Sequence, residues 1–202
     1  MKPQQLKHAT RQNISNKSTF KINDAGYIDY ATQIASPNFD ARPLQAGNST
    51  KINMIVMHNI SLPPNEYGGE GIIQLFTNQL NPTEHIYYAQ IYTRKVSSHF
   101  LIRRDGILLQ FVSTLNRAWH AGVSQWQGVD NCNDSSIGIE LEGSDFDAFK
   151  PVQYRTLKAL VSTLSSYYDI EHIVGHSDIA PGRKTDPGPY FDWSQLKLSH
   201  HS

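Results

Sequence analysis

The segment Ser136–Glu142 reads Ser-Ile-Gly-Ile-Glu-Leu-Glu, and its apolar residues recur at every second position. A period of two predicts a β-strand, because successive side chains of a strand point to opposite faces of a sheet. The apolar face would carry Ile137, Ile139 and Leu141, and the acidic face would carry Glu140 and Glu142. The acidic side of the strand is turned either to a cleft or to open solvent. In open solvent, both glutamates would be ordinary surface residues.

Four other stretches predict strands. The run Lys51–Met57 is apolar and rich in β-branched residues, which indicates a buried strand that ends at His58. Two apolar runs, Ser98–Arg103 and Ile107–Val112, flank an Asp-Gly pair and predict a β-hairpin. A last short strand is predicted at His172–Gly175, ending at His176.

Two segments have the apolar spacing of amphipathic helices. The first contains Ile72, Ile73, Phe76 and Leu80. The second opens at Pro151, a favoured first helical residue, and its buried stripe would contain Leu157, Leu160, Val161, Leu164 and Tyr168. Strands mixed with such helices predict an α/β fold, with a central β-sheet of mixed direction flanked by helices.

Composition excludes several classes of protein. The 202 residues suit one domain, and the net charge of zero argues against general binding of nucleic acid. A single cysteine, Cys132, excludes an intrachain disulfide. No apolar run approaches the roughly 20 residues of a membrane helix, and the N-terminal residues lack the apolar core of a signal peptide. We therefore expect a cytoplasmic protein with neither a nucleic-acid nor a membrane partner.

Residues 1–26 differ from the rest of the chain. They carry five basic residues and one acidic residue, with few large apolar side chains. This composition predicts a flexible polar and basic extension, with a basic arm for an anionic surface as the alternative. The folded domain is predicted at residues 27–198, and residues 199–202 would be a C-terminal tail.

Three residues could form a metal site. His58 and His176 lie at the ends of predicted strands, and Asp186 lies in a loop rich in Pro and Gly. Two imidazoles and a carboxylate are a donor set typical of catalytic zinc, which keeps a fourth position open. The alternative is that these histidines are structural or exposed.

A metal hydrolase also needs a group that takes a proton from water and a cation near the developing negative charge. Glu140 is the candidate for the proton transfer, and Lys184 or Arg183 is the candidate cation. The alternative for the two basic residues is a solvated charge pair. Cys132 lies in no motif of thiol enzymes, so a packed or surface thiol is expected.

The chain also resembles a known family. Six stretches carry the resemblance, in order: Ser36–Pro43, Val56–Pro64, Ser98–Gly106, Arg117–Ser124, Cys132–Gly143 and Gly175–Pro189. They are similar to the zinc-dependent N-acetylmuramoyl-L-alanine amidases, specifically the cytoplasmic AmpD type. Many other amidases and peptidoglycan recognition proteins have cysteine at the position of Asp186, whereas aspartate marks this type.

The resemblance implies one zinc ion held by His58, His176 and Asp186, with Glu140 as the catalytic carboxylate and Lys184 stabilising the oxyanion. The implied fold is a mixed sheet with the zinc in a surface groove. The implied reaction is hydrolysis of the amide between N-acetylmuramic acid and L-alanine, preferentially in 1,6-anhydromuropeptides recycled from the cell wall. Where a β-lactamase is inducible, such an enzyme would lower the concentration of the inducing muropeptide.

Contacts to the muropeptide are implied for five residues: Asn59, Lys95, Trp119, His120 and Arg183. The guanidinium of Arg183 would bind a carboxylate of the stem peptide. The chain departs from the family at Lys95, where arginine is frequent, and at Asn131, where a basic residue is frequent. Both changes would alter affinity or peptide preference rather than catalysis.

Two other functions remain open at this point. The first is a non-catalytic muropeptide-binding module, as some peptidoglycan recognition proteins are. Those proteins usually lack a metal ligand, whereas this chain has the full set. The second is an amidase that acts on intact peptidoglycan in the periplasm. For each of these functions, including the zinc amidase, we expect a monomer.

Overall fold

The computed structural model describes residues 20–45 and 47–196. Its strands are β1 (Thr32–Gln33), β2 (Phe39–Ala41), β3 (Leu44–Gln45), β4 (Asn48–Ser49), β5 (Met54–Ile60), β6 (Phe100–Ile102), β7 (Leu108–Gln110), β8 (Asn116–Ala118), β9 (Gln125–Trp126), β10 (Val129–Asp130), β11 (Ser136–Glu142) and β12 (His172–Gly175). Its helices are α1 (Gly71–Phe76), α2 (Tyr88–Ile91), α3 (Pro151–Tyr167) and α4 (His176–Ile179), with 3-10 turns at Cys132–Asp134 and Trp193–Leu196.

Within the described residues, six strands form the central sheet in the order β1-β7-β6-β11-β5-β12. β6, β11, β5 and β12 run parallel, while β7 runs antiparallel to β6. The predicted mixed α/β fold is therefore confirmed. The hairpin predicted around Asp105-Gly106 is the β6–β7 pair, and Gly106 has a φ of 85°, which glycine adopts without a steric penalty.

Helix α3 covers one face of the sheet. Its side chains Leu157, Leu160 and Leu164 are fully buried against the apolar face of β11 and against β5 and β6. The helix begins at Pro151, as predicted. It ends at Tyr167, so Tyr168 of the predicted buried stripe lies just beyond it. Burial of this many large apolar groups is the main stabilising term for such a layer.

The opposite face is covered in two parts. Helices α1 and α2 pack on Leu101 of β6 and Leu109 of β7. Further along the sheet, Val56 of β5 and Val174 of β12 pack against Ala121 and Cys132. The carboxyl ends of β5, β11 and β12 lie side by side. Open α/β sheets bind ligands at this end of their strands.

Three sequence-based boundaries were wrong. Strand β5 runs to Ile60, so His58 lies within it rather than after it. His176 is the first residue of α4 rather than the end of a strand. Helix α1 ends at Phe76, so Leu80 lies outside it, although its side chain is buried.

The fold also begins before the predicted boundary at residue 27. The ring of Phe20 stacks on Tyr30 at 4.6 Å, and its backbone N–H donates to Thr163 of α3. The backbone carbonyl of Gly26 accepts a hydrogen bond from the buried Gln110. Residues 20–26 are therefore packed on the domain. The rest of the predicted extension, residues 1–19, and the predicted tail, residues 199–202, lie outside the described residues, as do residues 197–198.

Candidate metal centre

Two imidazoles and one carboxylate converge at the carboxyl ends of the parallel strands. His58 Nδ1 lies 3.0 Å from His176 Nδ1 and 2.9 Å from Asp186 Oδ2, and His176 Nδ1 lies 3.0 Å from Asp186 Oδ2. Both histidines are buried and Asp186 is nearly so. The loop that follows α4 returns Asp186 to the sheet, where its backbone carbonyl accepts from the N–H of Ser177.

The outer nitrogen of His176 shows that its inner nitrogen can act as a ligand. His176 Nε2 lies 2.9 Å from the Ala121 carbonyl oxygen, and it must donate because a carbonyl only accepts. A neutral His176 therefore turns a bare Nδ1 toward His58 and Asp186. Three electron-pair donors converging within about 3 Å suit a cation, and this donor set is the one that catalytic zinc uses. The residues present therefore fit a zinc ion.

The protonation of the site agrees with ligand roles. Burial lowers the pKa of His58 to about 4, against the opposite influence of Asp186, so this imidazole is neutral at pH 7. Burial acts to raise the pKa of Asp186, but its contacts with His176 and His58 outweigh burial and hold this pKa below its usual range. Neutral imidazole and ionised carboxylate are the forms that bind metal.

Glu140 stands beside the three donors. It is the register partner of His58 in the parallel β5–β11 pair and is 7% exposed. Its Oε2 has no hydrogen-bond partner among the described residues. Burial raises the pKa of Glu140 well above its usual range, and the nearby Asp186 adds to this, whereas Lys184 acts to lower it. A carboxyl group with a raised pKa and a free oxygen at a cavity is suited to proton transfer.

The acidic face of β11 is therefore not a solvent-exposed surface. Glu142 is 2% exposed, and its carboxylate accepts from the N–H groups of Gly68 at 2.6 Å and Arg104 at 2.8 Å. These bonds fasten the loop before α1 to the β6–β7 turn. The sequence pattern alone gave Glu142 no such role.

The donors and Glu140 line one cavity of about 460 Å³, a volume in the range of small-molecule sites. Its wall includes Trp119, Lys184 and Phe146. Farther from the three donors, the wall is formed by side chains of α1, α2 and the loop before α1, which are Leu62, Pro64, Leu75, Phe76, Tyr87 and Ile91. The cavity thus joins a polar end to a largely apolar end.

The structure brings together most of the predicted contact residues. Asn59 lines the cavity, and its amide donates to Asp145 Oδ1 at 2.6 Å and to the Pro187 carbonyl at 3.1 Å. Trp119 also lines the cavity, and its indole N–H donates to Asp40. Lys95 is exposed and does not line this cavity, although its neighbours Arg94 and Val96 do.

Two of the predicted contact residues are engaged within the protein. His120 lines the cavity and is half-buried, and its Nδ1 lies 3.0 Å from His58 Nε2. Arg183 lines the cavity, but one nitrogen of its guanidinium donates to the carbonyls of Ala121 and Val123. That nitrogen is therefore not free for the peptide carboxylate that the sequence suggested.

Cys132 is a packed thiol, which is one of the two arrangements expected for it. Cys132 is buried beside Ala121 and Val56, and burial raises the pKa of its thiol. A thiol with a raised pKa is a poor nucleophile at neutral pH.

Comparison with known proteins agrees with this geometry. Residues 48–189 match the family described as N-acetylmuramoyl-L-alanine amidase. The chain is 48% identical to the 1,6-anhydro-N-acetylmuramyl-L-alanine amidase AmpD of Salmonella typhimurium strain SL1344, over 88% of this chain and 96% of that protein.

Two solved structures are also similar. A selenomethionine derivative of AmpD superposes with a TM-score of 0.83 at 47% identity, covering 87% of this chain and 97% of that one. The amidase AmiD from E. coli, solved in complex with anhydro-N-acetylmuramic acid-L-Ala-D-gamma-Glu-L-Lys, superposes with a TM-score of 0.53 at 29% identity, covering 79% of this chain and 64% of that one.

Proposed function

The chain belongs to the N-acetylmuramoyl-L-alanine amidase family, and we propose that it hydrolyses the lactyl amide between N-acetylmuramic acid and L-alanine in 1,6-anhydromuropeptides. The observation that carries this proposal is the placement of His58, His176 and Asp186 beside Glu140 in one cavity. The preference for the 1,6-anhydro sugar rests on the similarity to the AmpD amidases over nearly their whole length.

The cofactor of this reaction is one zinc ion, held by His58, His176 and Asp186. Zinc in such a site supplies Lewis-acid activation of a water molecule and of the scissile carbonyl. The three residues leave the side facing the cavity open, as a catalytic site requires.

Glu140 moves the protons. Its carboxylate, which lines the cavity, accepts a proton from the attacking water and later gives it to the departing amine of L-alanine. The raised pKa favours the second transfer, and the positive charge of Lys184 favours the ionised form that the first transfer requires. Because Lys184 lines the same cavity, its ammonium also stabilises negative charge on the carbonyl oxygen in the transition state.

The remaining contacts orient the muropeptide. Trp119 and Asn59 line the cavity, and Asn59 keeps its side-chain carbonyl available to an N–H of the peptide. Arg183 retains donors on its second terminal nitrogen and Nε for a stem-peptide carboxylate. Lys95 is exposed and directly follows Arg94 in the chain. It would therefore contact only the distal part of a longer peptide.

We place this activity in cytoplasmic recycling of cell-wall fragments, carried out by a monomer. The 1,6-anhydro form in the names of the curated relatives supports a soluble turnover fragment as substrate. None of the helices in residues 20–45 and 47–196 has the length and apolar character needed to cross a bilayer. Localisation would be tested by cell fractionation and the monomer by light scattering in solution.

The direct test is mass spectrometry of the products after incubation with an anhydromuropeptide. Release of the free stem peptide, abolished in a metal-depleted sample and restored by zinc, is the expected result. A zinc-loaded protein that binds the muropeptide without cleaving it would instead support a binding module. Faster release from intact sacculi than from the soluble fragment would support the periplasmic amidase.

A further inference from the structure

Both imidazoles of the metal centre meet the same dipeptide on their outer sides. His58 Nε2 lies 3.0 Å from Nδ1 of His120, and His176 Nε2 lies 2.9 Å from the carbonyl oxygen of Ala121. The inner nitrogens of the two ligands are thereby left to point at Asp186. Two adjacent residues thus satisfy the outer nitrogens of both histidine ligands.

The direction of the hydrogen bonds can be worked out along the chain of groups. If His58 presents a bare Nδ1 to a metal, its Nε2 carries the proton and donates to His120 Nδ1. His120 must then carry its own proton on Nε2, which lies 3.2 Å from the hydroxyl oxygen of Ser136. Each group has a partner of the right kind, so the arrangement accommodates the tautomer of His58 that can bind a metal.

The dipeptide is itself held in place. Asn133 Oδ1 accepts from the backbone N–H groups of His120 at 3.2 Å and Ala121 at 2.8 Å. The Ala121 carbonyl also accepts from Arg183 at 2.7 Å. These contacts hold the backbone of the dipeptide at a fixed distance from the sheet.

The sheet beneath makes room for the imidazole of His120. Gly138 of β11 lies under this ring, and a Cβ atom at Gly138 would come within 2.5 Å of His120 Cγ. Because a contact this short forces one group to move, the ring can occupy its position only above a glycine.

We propose that His120-Ala121 is the orienting element of the metal centre. The Ala121 carbonyl fixes the tautomer and direction of His176, and the His120 side chain holds the direction of His58 and accepts its Nε2 proton when Nδ1 binds zinc. His120 is thus a positioning residue for zinc binding. The inference rests on the zinc site proposed above. Such outer hydrogen bonds to ligands typically change metal affinity by about 10- to 100-fold.

The test compares zinc affinity among metal-free variants by competition with a chromophoric chelator. His120→Leu removes the acceptor for His58, and we expect its zinc dissociation constant to rise by about 10- to 100-fold. His120→Asn returns an acceptor near the position of Nδ1 and should recover most of the affinity. His85→Leu, a matched substitution outside the cavity lining, should leave zinc affinity unchanged.

Two further measurements separate positioning from folding. The absorption spectrum of the cobalt-substituted protein should change in His120→Leu and return toward the original in His120→Asn, whereas a purely structural role would not alter it. Gly138→Ala removes no polar side chain, but its added methyl group displaces the His120 ring. This variant should therefore weaken zinc binding as well. This variant also serves if His120→Leu does not fold.

The outcomes are distinct. If the unaltered chain binds no zinc, both the proposed cofactor and this inference fail. If the unaltered chain binds zinc and folded His120→Leu or Gly138→Ala binds it equally well, only this inference fails.

Discussion

Glu140 and His58 are register partners in the adjacent parallel strands β11 and β5, on the face of the sheet opposite helix α3. The strand pairing itself therefore sets the proton-transfer group beside a metal ligand. Neighbouring strands lie about 4.8 Å apart, so this juxtaposition needs no flexible loop.

Glu140→Gln should lose turnover while retaining zinc. The amide cannot take a proton from water, and loss of such a group typically costs about 10²- to 10⁴-fold in rate. We would measure kcat by product release and zinc content by plasma mass spectrometry on the same sample. Loss of zinc from this variant would contradict the division between base and ligands.

Asp186→Ala should abolish stable zinc binding, because it leaves two imidazoles as ligands. Asp178→Ala is the matched control, since Asp178 lies in the same region but its carboxylate accepts from the N–H of Gly175 instead. Full zinc occupancy of Asp186→Ala after dialysis would exclude Asp186 as a ligand.

Glu142→Gln should loosen the loop before α1. The new amide would turn an NH₂ toward the N–H of Gly68 or of Arg104, and an unsatisfied buried donor costs roughly 1–3 kcal/mol. We expect a lower free energy of unfolding and a higher KM, because this loop lines the cavity. Glu171→Gln, on the exposed end of the sheet, is the control, and equal effects in both variants would refute the role of Glu142.

His99 should make the metal-free protein less stable in acid. Burial lowers its folded pKa to about 3, so between pH 6.5 and 3 the unfolded chain binds the extra proton. The contribution is complete above pH 6.5 and falls by up to about 1.4 kcal/mol per pH unit as the pH drops toward 3.

Urea unfolding at several pH values would measure this effect as the difference between the wild type and His99→Asn. The asparagine can still accept from the Gly138 N–H, as His99 Nδ1 does, but it does not titrate. Parallel stability curves for the two proteins would rule out His99 as a source of the acid sensitivity.

The elements with strong local patterns were predicted well. The Pro151 helix start, the Asp-Gly turn and the alternation of β11 are set by neighbouring residues, and all three are present. The three residues of the candidate metal centre were also named from the sequence, but their convergence depends on pairing between strands far apart in the chain, which spacing alone does not report.

The errors have a common physical cause. The predicted end of β5 came too early because His58 and Asn59 are polar. In the structure both residues are covered by the cavity wall and by other polar groups rather than by apolar side chains. For the same reason an open solvent face stayed possible for Glu140 and Glu142. The contact between His120 and His58 escaped the sequence because the two residues lie 62 positions apart.

The three side chains of the candidate metal centre come from segments separated by up to 128 residues. His58 lies on β5 and His176 directly follows β12, and these two strands meet through parallel pairing. No local fragment of the chain can assemble this trio in advance. Parallel pairing over such distances forms slowly, because loop closure must precede the contacts that compensate for it. Zinc capture should therefore coincide with completion of the sheet, and the bound ion would in turn slow its opening.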